Sequence, residues 1–282
     1  MANKTWVPPG HFYSPIVDPQ DPHVQPILRD FYHLELPAAS GIDLDRERML
    51  AMLQRLGKHY GRIPFGPQKL DGLHYYYENP AYSYGDAIVL TAMMMEFQPK
   101  RMIEVGSGFS SCAAIDINEV IFKGSVDLRF IEPYPELLLK LLPADSRYRQ
   151  AIVGQPVQSM PLDAFRVLEA NDILFIDSTH VSKMGSDVNY LLLNVLPTLQ
   201  PGVVIHVHDI FYPFEYPPDW ILNENRSWNE AYILRAFLAF NKSFEILFFN
   251  HYATRKFPDQ LRESLPLFLN NGGGSIWLRR VS

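Results

Sequence analysis

The sequence predicts an α/β fold built on a mostly parallel, doubly wound sheet of seven strands behind an N-terminal cap. Three observations predict it. Short apolar strands alternate with amphipathic helices from Ser83 onward, acidic residues or bare backbone recur at the ends of successive strands, and a Gly-x-Gly turn joins the first strand to the following helix. In an open sheet of this kind ligands bind beyond the carboxyl ends of the strands, near the point where strand order reverses. The residues that follow each strand are therefore the ones expected to carry chemistry.

Residues 1–82 are expected to form the cap, rich in proline and aromatics (PPGHFYSP, LHYYYENP) and holding one clear helix. Met49, Met52, Leu53 and Leu56 recur at helical spacing behind Asp43 and Asp45, and Gly57 is placed to stop that helix. Residues 83–282 form the sheet-bearing domain. Ser83 and Asp86 have the spacing of a capping box for a helix running to Phe97, and Pro99 separates it from the first strand, MIEV. DLRFI, RQAIV, DILFI, VVIHV, FEILFF and SIWLRRV supply the other six strands. After DILFI, Val188, Leu191, Leu192, Val195 and Leu196 make one apolar stripe with Ser186 as the helix cap.

Composition narrows the function. With 47% hydrophobic and 20% charged residues over 282 positions the chain can bury a full core. A net charge of −6 offers no electrostatic footprint for DNA or RNA, whose phosphates call for clustered Lys and Arg. Cys112 is the sole cysteine, which excludes an intramolecular disulfide and a cysteine-based zinc site and suits a reducing, cytoplasmic compartment. The start MANKTWVPPG has no apolar signal region, and runs such as YLLLNVL are far shorter than the ~20 residues of a membrane span.

The turn after the first strand carries Gly106 and Gly108 and enters a helix, whose free N–H groups and bare backbone suit a polar ligand. A dinucleotide fingerprint would want glycine where Ser111 stands. Glu104, two residues before Gly106, fits a cofactor with a cationic end better than one with an anionic pyrophosphate. Asp177 and His180 follow the fourth strand, while His208 and Asp209 end the fifth. Adjacent strand ends bring Asp177 and Asp209 together, and two such carboxylates call for a hard divalent ion, Mg2+ or Mn2+. His206 shares a strand face with His208 and is expected in the core. The segment after Asp209 carries Phe211, Tyr212, Phe214, Tyr216, Trp220 and Trp228, suited either to stacking on an acceptor ring or to packing against the cap.

YSYGDA, EVGSGFSS, FIEPYP, FIDSTH and HVHDIF occur in that order. From about Tyr82 onward the chain thereby resembles the class I S-adenosylmethionine (SAM) methyltransferases, which have a Rossmann-like sheet. It looks like the subgroup of metal-dependent sugar O-methyltransferases, related to catechol O-methyltransferase. The resemblance implies that Glu104, Gly106, Gly108 and Ser110 line the methionine end of SAM, with Ser110 where many relatives have a third glycine. Tyr84 and Gly85 would close over the cofactor, Glu132 would hold the ribose hydroxyls, and Gln158 would lie near the adenine. Asp177, Asp209 and His208 would ligate the metal, and His180 would act as general base. His208 departs from the Asp or Glu usual at its position, and an imidazole there suits Mn, Fe or Zn better than Mg2+. The implied acceptor is a small-molecule hydroxyl on a sugar or glycosylated metabolite, with a homo-oligomer left open. Rival readings are a catechol-like phenol methyltransferase, an oxidative enzyme and a non-catalytic SAM-binding protein. A nicotinamide oxidoreductase is disfavoured by Glu104 and Ser111.

Overall fold

A computed structural model describes residues 5–282. Its strands are β1 (Arg101–Val105), β2 (Asp127–Ile131), β3 (Ile152–Val153), β4 (Ile173–Ile176), β5 (Val204–His208), β6 (Phe244–Phe249) and β7 (Ser275–Arg280). They form one seven-stranded sheet in the order β3-β2-β1-β4-β5-β7-β6. Strands β1 to β5 run parallel, and β7 inserts antiparallel between β5 and β6. This is the expected doubly wound, Rossmann-like sheet, whose order reverses between β1 and β4. Register does the rest. Val105 pairs with both Ile131 and Ile176, and Ile176 pairs with Val207, so Gly106, Glu132, Asp177 and His208 emerge side by side at one edge.

The helix Arg46–Gly57 starts where Asp45 accepts a hydrogen bond from the Arg48 amide at 2.9 Å. Its Met49, Met52, Leu53 and Leu56 are buried in the same core as the sheet and its helices. Among the described residues no helix is long and apolar enough to cross a membrane.

Three local expectations are corrected. RQAIV is not a full strand: Arg147–Ala151 forms a 3-10 turn with Ser146 as its cap, leaving only Ile152 and Val153 to pair at the sheet edge. Ser83 and Asp86 do not close a capping box. The helix Tyr84–Phe97 is buried almost all round, so its first turn is satisfied across the core instead: Ser83 Oγ donates to the Tyr77 carbonyl at 3.0 Å, and Asp86 Oδ1 accepts from Ser275 Oγ at 2.8 Å and Asn250 Nδ2 at 3.1 Å. The helix after β4 starts as expected, with Ser186 Oγ accepting from the Asn189 amide. It then widens to a π turn over Leu191–Val195 and ends as a 3-10 turn at Leu196–Thr198. Pro197 explains the change, because it has no N–H for the carbonyl four residues back and its ring crowds that carbonyl. The apolar stripe stays buried throughout.

Candidate active site

Gly106 has φ +94°, and a Cβ there would lie 1.8 Å from the Asp177 carbonyl oxygen. The loops after β1 and β4 can approach this closely only because the residue is glycine. Gly106→Ala is expected to cost about 2–4 kcal/mol of stability, measured by denaturant unfolding, since both φ and space are wrong for a side chain. Ser111, where a dinucleotide fingerprint would have its third glycine, instead caps the turn by accepting the Gly108 amide with Oγ at 3.1 Å. Ser110 Oγ donates to Glu104 Oε1 at 2.6 Å. Glu104 is fully buried, its Oε2 has no partner among the described residues, and burial pushes its carboxyl up to about 8.

Beyond this turn lies a cleft of about 370 Å³, lined among others by Gly106, Glu132, Gln158, Asp177 and Asp187. Glu132 accepts the Tyr134 amide at 2.8 Å and is otherwise turned to the cleft, its carboxyl raised chiefly by burial. Gln158 sits exposed at the rim, donating to the Gly185 carbonyl at 3.0 Å. Of the turn only Gly106 borders this cleft; Glu104, Gly108 and Ser110 sit behind it, and Tyr84 and Gly85 do not line it. Tyr84 stacks on Tyr77 at 4.6 Å, and the Gly85 amide donates to the Asn271 carbonyl at 2.7 Å, because the start of their helix is sealed under the loop before β7.

Donor atoms of Asp177, His180 and Asp209 converge within 4.8 Å of one another. His180 Nε2 lies 3.4 Å from Asp177 Oδ1 and 3.5 Å from Asp209 Oδ2. Both His180 (φ +59°) and Asp209 (φ +55°) are left-handed, a conformation that costs free energy in non-glycine residues and concentrates at functional sites. The carboxylates face outward, with 29% of the Asp177 side chain and 15% of the Asp209 side chain exposed. The family resemblance groups His208 with the two aspartates and sets His180 apart; the geometry gathers His180 with them. His208 is buried beside the group, with Nδ1 3.5 Å from Asp177, 3.4 Å from Asp209 and Nε2 3.5 Å from Asp86.

One participant went unseen in the sequence. Glu230, first residue of the helix Glu230–Leu238, is fully buried and places Oε2 2.9 Å from His180 Nδ1. The sequence signal was faint: an acidic residue at a helix start, where the macrodipole favours it.

The charges explain one another. Burial opposes ionisation of Asp177, but His208 and His180 outweigh it and hold the carboxyl well below the usual range. Burial likewise opposes the imidazolium of His180, yet Asp177, Glu230 and Asp209 push it up to about 10. His208 is raised against burial by Asp209 and Asp177. His206, by contrast, is held neutral by burial, stacked at 3.8 Å on Phe175, and is the core residue the strand pattern implied.

Across the carboxylates lies a second cavity of about 280 Å³, lined by Asp86, His208, Asp209, Phe211, Trp220 and Asn271 among others. The aromatic segment divides between two roles. Phe211 and Trp220 face this cavity, whereas Tyr212, Phe214 and Tyr216 are buried in packing, Tyr212 donating to Glu35 of the N-terminal segment at 2.6 Å. Trp228 covers His180 at 4.3 Å.

Residues 103–210, from within β1 to just past Asp209, match the family model of a methyltransferase domain. An uncharacterized protein of Archaeoglobus fulgidus is 34% identical over 173 residues, covering 59% of this chain and 75% of that protein. Residues 103–210 thus carry a methyltransferase domain, within a chain related to the Archaeoglobus protein. Similar solved structures include the SAH-bound methyltransferase PaMTH1 of Podospora anserina, 14% identical over 70% of this chain and 78% of that one, with a TM-score of 0.43. Another is the O-methyltransferase TomG of Streptomyces achromogenes, involved in tomaymycin synthesis and solved with SAM. It is 14% identical over 86% of this chain and 92% of its own, with a TM-score of 0.43.

In this methyltransferase domain Glu104 gives a pH dependence whose sign is fixed by its shift. Its carboxyl, raised to about 8 in the folded protein from an unfolded value of 4.5, keeps a proton that the unfolded chain gives up. Stability is therefore highest below 4.5 on this account and is lost as pH rises through 8. The melting temperature of the protein without added ligand should fall across that window relative to Glu104→Gln. Parallel curves for the two proteins would remove Glu104 as the source.

Proposed function

We propose that this methyltransferase is SAM-dependent, uses a divalent cation and methylates a hydroxyl of a sugar or glycosylated small molecule. The observation that supports it is the position of Asp177, His180 and Asp209 between two cavities, one bordered by Gly106 and Glu132 and the other by Phe211 and Trp220. The residues suit SAM. The unpartnered, buried Glu104 Oε2 matches an ammonium group, the bare backbone at Gly106 admits close approach, and Glu132 can accept from both hydroxyls of a ribose. They also suit a divalent ion, Mn2+ better than Mg2+, since an imidazole converges with the two carboxylates. His208 adds a second observation: it is buried, its nitrogens lack hydrogen-bond partners among the described residues, and Nδ1 faces the same two carboxylates.

When bound, SAM supplies an activated methyl group and the cation favours the ionised form of the acceptor hydroxyl. The chain's own part is alignment. Asp177 and Asp209 fix the reacting edge, Phe211 and Trp220 offer apolar faces at 5.2 Å and nearly perpendicular, and Asn271 and Asp86 offer polar groups to further hydroxyls. His180, as donor or as proton acceptor, completes the site. The aromatic walls also admit a flat phenol, which keeps catechol-like chemistry as the second reading.

The test is SAH formation and mass gain of the acceptor across free sugars, glycosides and catechols, each with Mn2+, with Mg2+ and with excess chelator. Turnover of a sugar or glycoside that is abolished by chelation is expected. Cation-independent turnover, or turnover of catechols alone, would overturn the corresponding part. Glu132→Ala should weaken SAM by about tenfold or more, as charge-assisted hydrogen bonds each contribute ~1.5–3 kcal/mol. Unchanged affinity in the folded variant would reject the ribose assignment.

A further inference from the structure

We infer that Glu230 is a positioning residue for the metal-binding imidazole: it holds the Nδ1–H of His180 and thereby aims Nε2 at the gap between Asp177 and Asp209. The inference rests on the cation site proposed above.

A fully buried carboxylate is unfavourable unless it is paired, and the hydrogen bond that Glu230 makes with its side chain is to His180, at 2.9 Å through Oε2; Oε1 has no partner among the described residues. A merely favourable acid at a helix start would face water. This one is turned inward onto a ring. The ring itself has little local guidance, because His180 is left-handed, and it is tied down from the same helix start. The amides of Asn229 and Glu230 both donate to the His180 carbonyl at 3.1 Å, Asn229 Nδ2 donates to the Ser182 carbonyl at 3.1 Å, and Trp228 covers the ring. Tyr216 Oη accepts the Ala231 amide at 3.0 Å and pins that helix start in turn.

The consequence follows from the donor and acceptor inventory of imidazole. With its one N–H directed to Glu230, a neutral ring presents a lone pair at Nε2, facing carboxylate oxygens at 3.4 and 3.5 Å. A cation that replaces the proton on Nε2 meets three acceptors converging on one point. A carboxylate behind a ligating histidine fixes both its tautomer and its orientation, and loss of such a partner typically lowers metal affinity ~10- to 100-fold.

The experiment measures Mn2+ affinity by electron paramagnetic resonance on the full chain without SAM, comparing wild type, Glu230→Gln, His180→Asn and the double variant. Glu230→Gln should bind Mn2+ about 10- to 100-fold more weakly, with SAM affinity unchanged. On the His180→Asn background it should cause no further loss, since Glu230 acts through that ring. Wild-type-like Mn2+ affinity in folded Glu230→Gln, or an equal additional loss without His180, overturns the inference and leaves the cation site standing. Failure of wild type to bind Mn2+ overturns both. Should Glu230→Gln not fold, Glu230→Asp keeps the charge at shorter reach. An affinity loss coupled in the same way to His180 supports the inference, and none contradicts it.

Discussion

Asp209→Ala is expected to abolish methyl transfer and to leave SAM binding largely in place. The expectation comes from position. Asp209 lines the cavity opposite the Gly106–Glu132 cleft, whereas Asp177 borders that cleft directly, so removing Asp209 takes a carboxylate from the convergent group and spares the cofactor's proposed walls. Two carboxylates and an imidazole are a minimal set for a divalent ion, and loss of one anionic donor removes charge as well as a ligand. Asp209 is also left-handed, so Asp209→Asn, which tolerates that conformation better than alanine, separates lost charge from backbone strain. Both variants should be inactive by SAH release while titrating with SAM. Activity within about tenfold of wild type in Asp209→Asn, at trace metal, would show that the carboxylate charge is not needed.

His180→Ala should lower kcat by about 100- to 10,000-fold with SAM affinity little changed. Two roles lead to this result, and they separate on added metal. If Nε2 is a donor, excess Mn2+ restores part of the rate, because the defect is one of occupancy. If the ring takes the acceptor's proton, saturating Mn2+ restores nothing, and the loss lies wholly in turnover. The Glu230 contact and the convergence with both aspartates favour the donor role. A variant that keeps kcat within about threefold would exclude both.

The sheet and its reactive edge were legible because each rests on local pattern plus one topological rule. Alternating strands and helices gave the parallel sheet, and a parallel sheet puts Gly106, Glu132, Asp177 and His208 at one edge whatever the loops do. What the sequence hid depends on contacts between distant segments. Glu230 reaches His180 across fifty positions and carries no motif. Asp86 has capping-box spacing, but its helix start is inside the protein, where Ser275 and Asn250 compete for it and win. Tyr84 and Gly85 precede β1 closely in sequence, yet the loop before β7 covers them. That His180 joins the two aspartates, with His208 buried beside them, has the same origin. Period-two alternation says which face His208 takes but not how deep it sits, and no pattern specifies the left-handed turn that swings His180 toward the aspartates.

The most direct test of the account is calorimetric titration of SAM, and separately of Mn2+, into metal-stripped wild type, Glu132→Ala and Asp209→Ala. The account predicts opposite patterns: SAM weakened about tenfold or more by Glu132→Ala but little changed by Asp209→Ala, and Mn2+ lost in Asp209→Ala but retained in Glu132→Ala. Absence of SAM binding to folded wild type, or two variants that affect both ligands alike, would contradict a cofactor cleft and a cation site meeting at this strand edge.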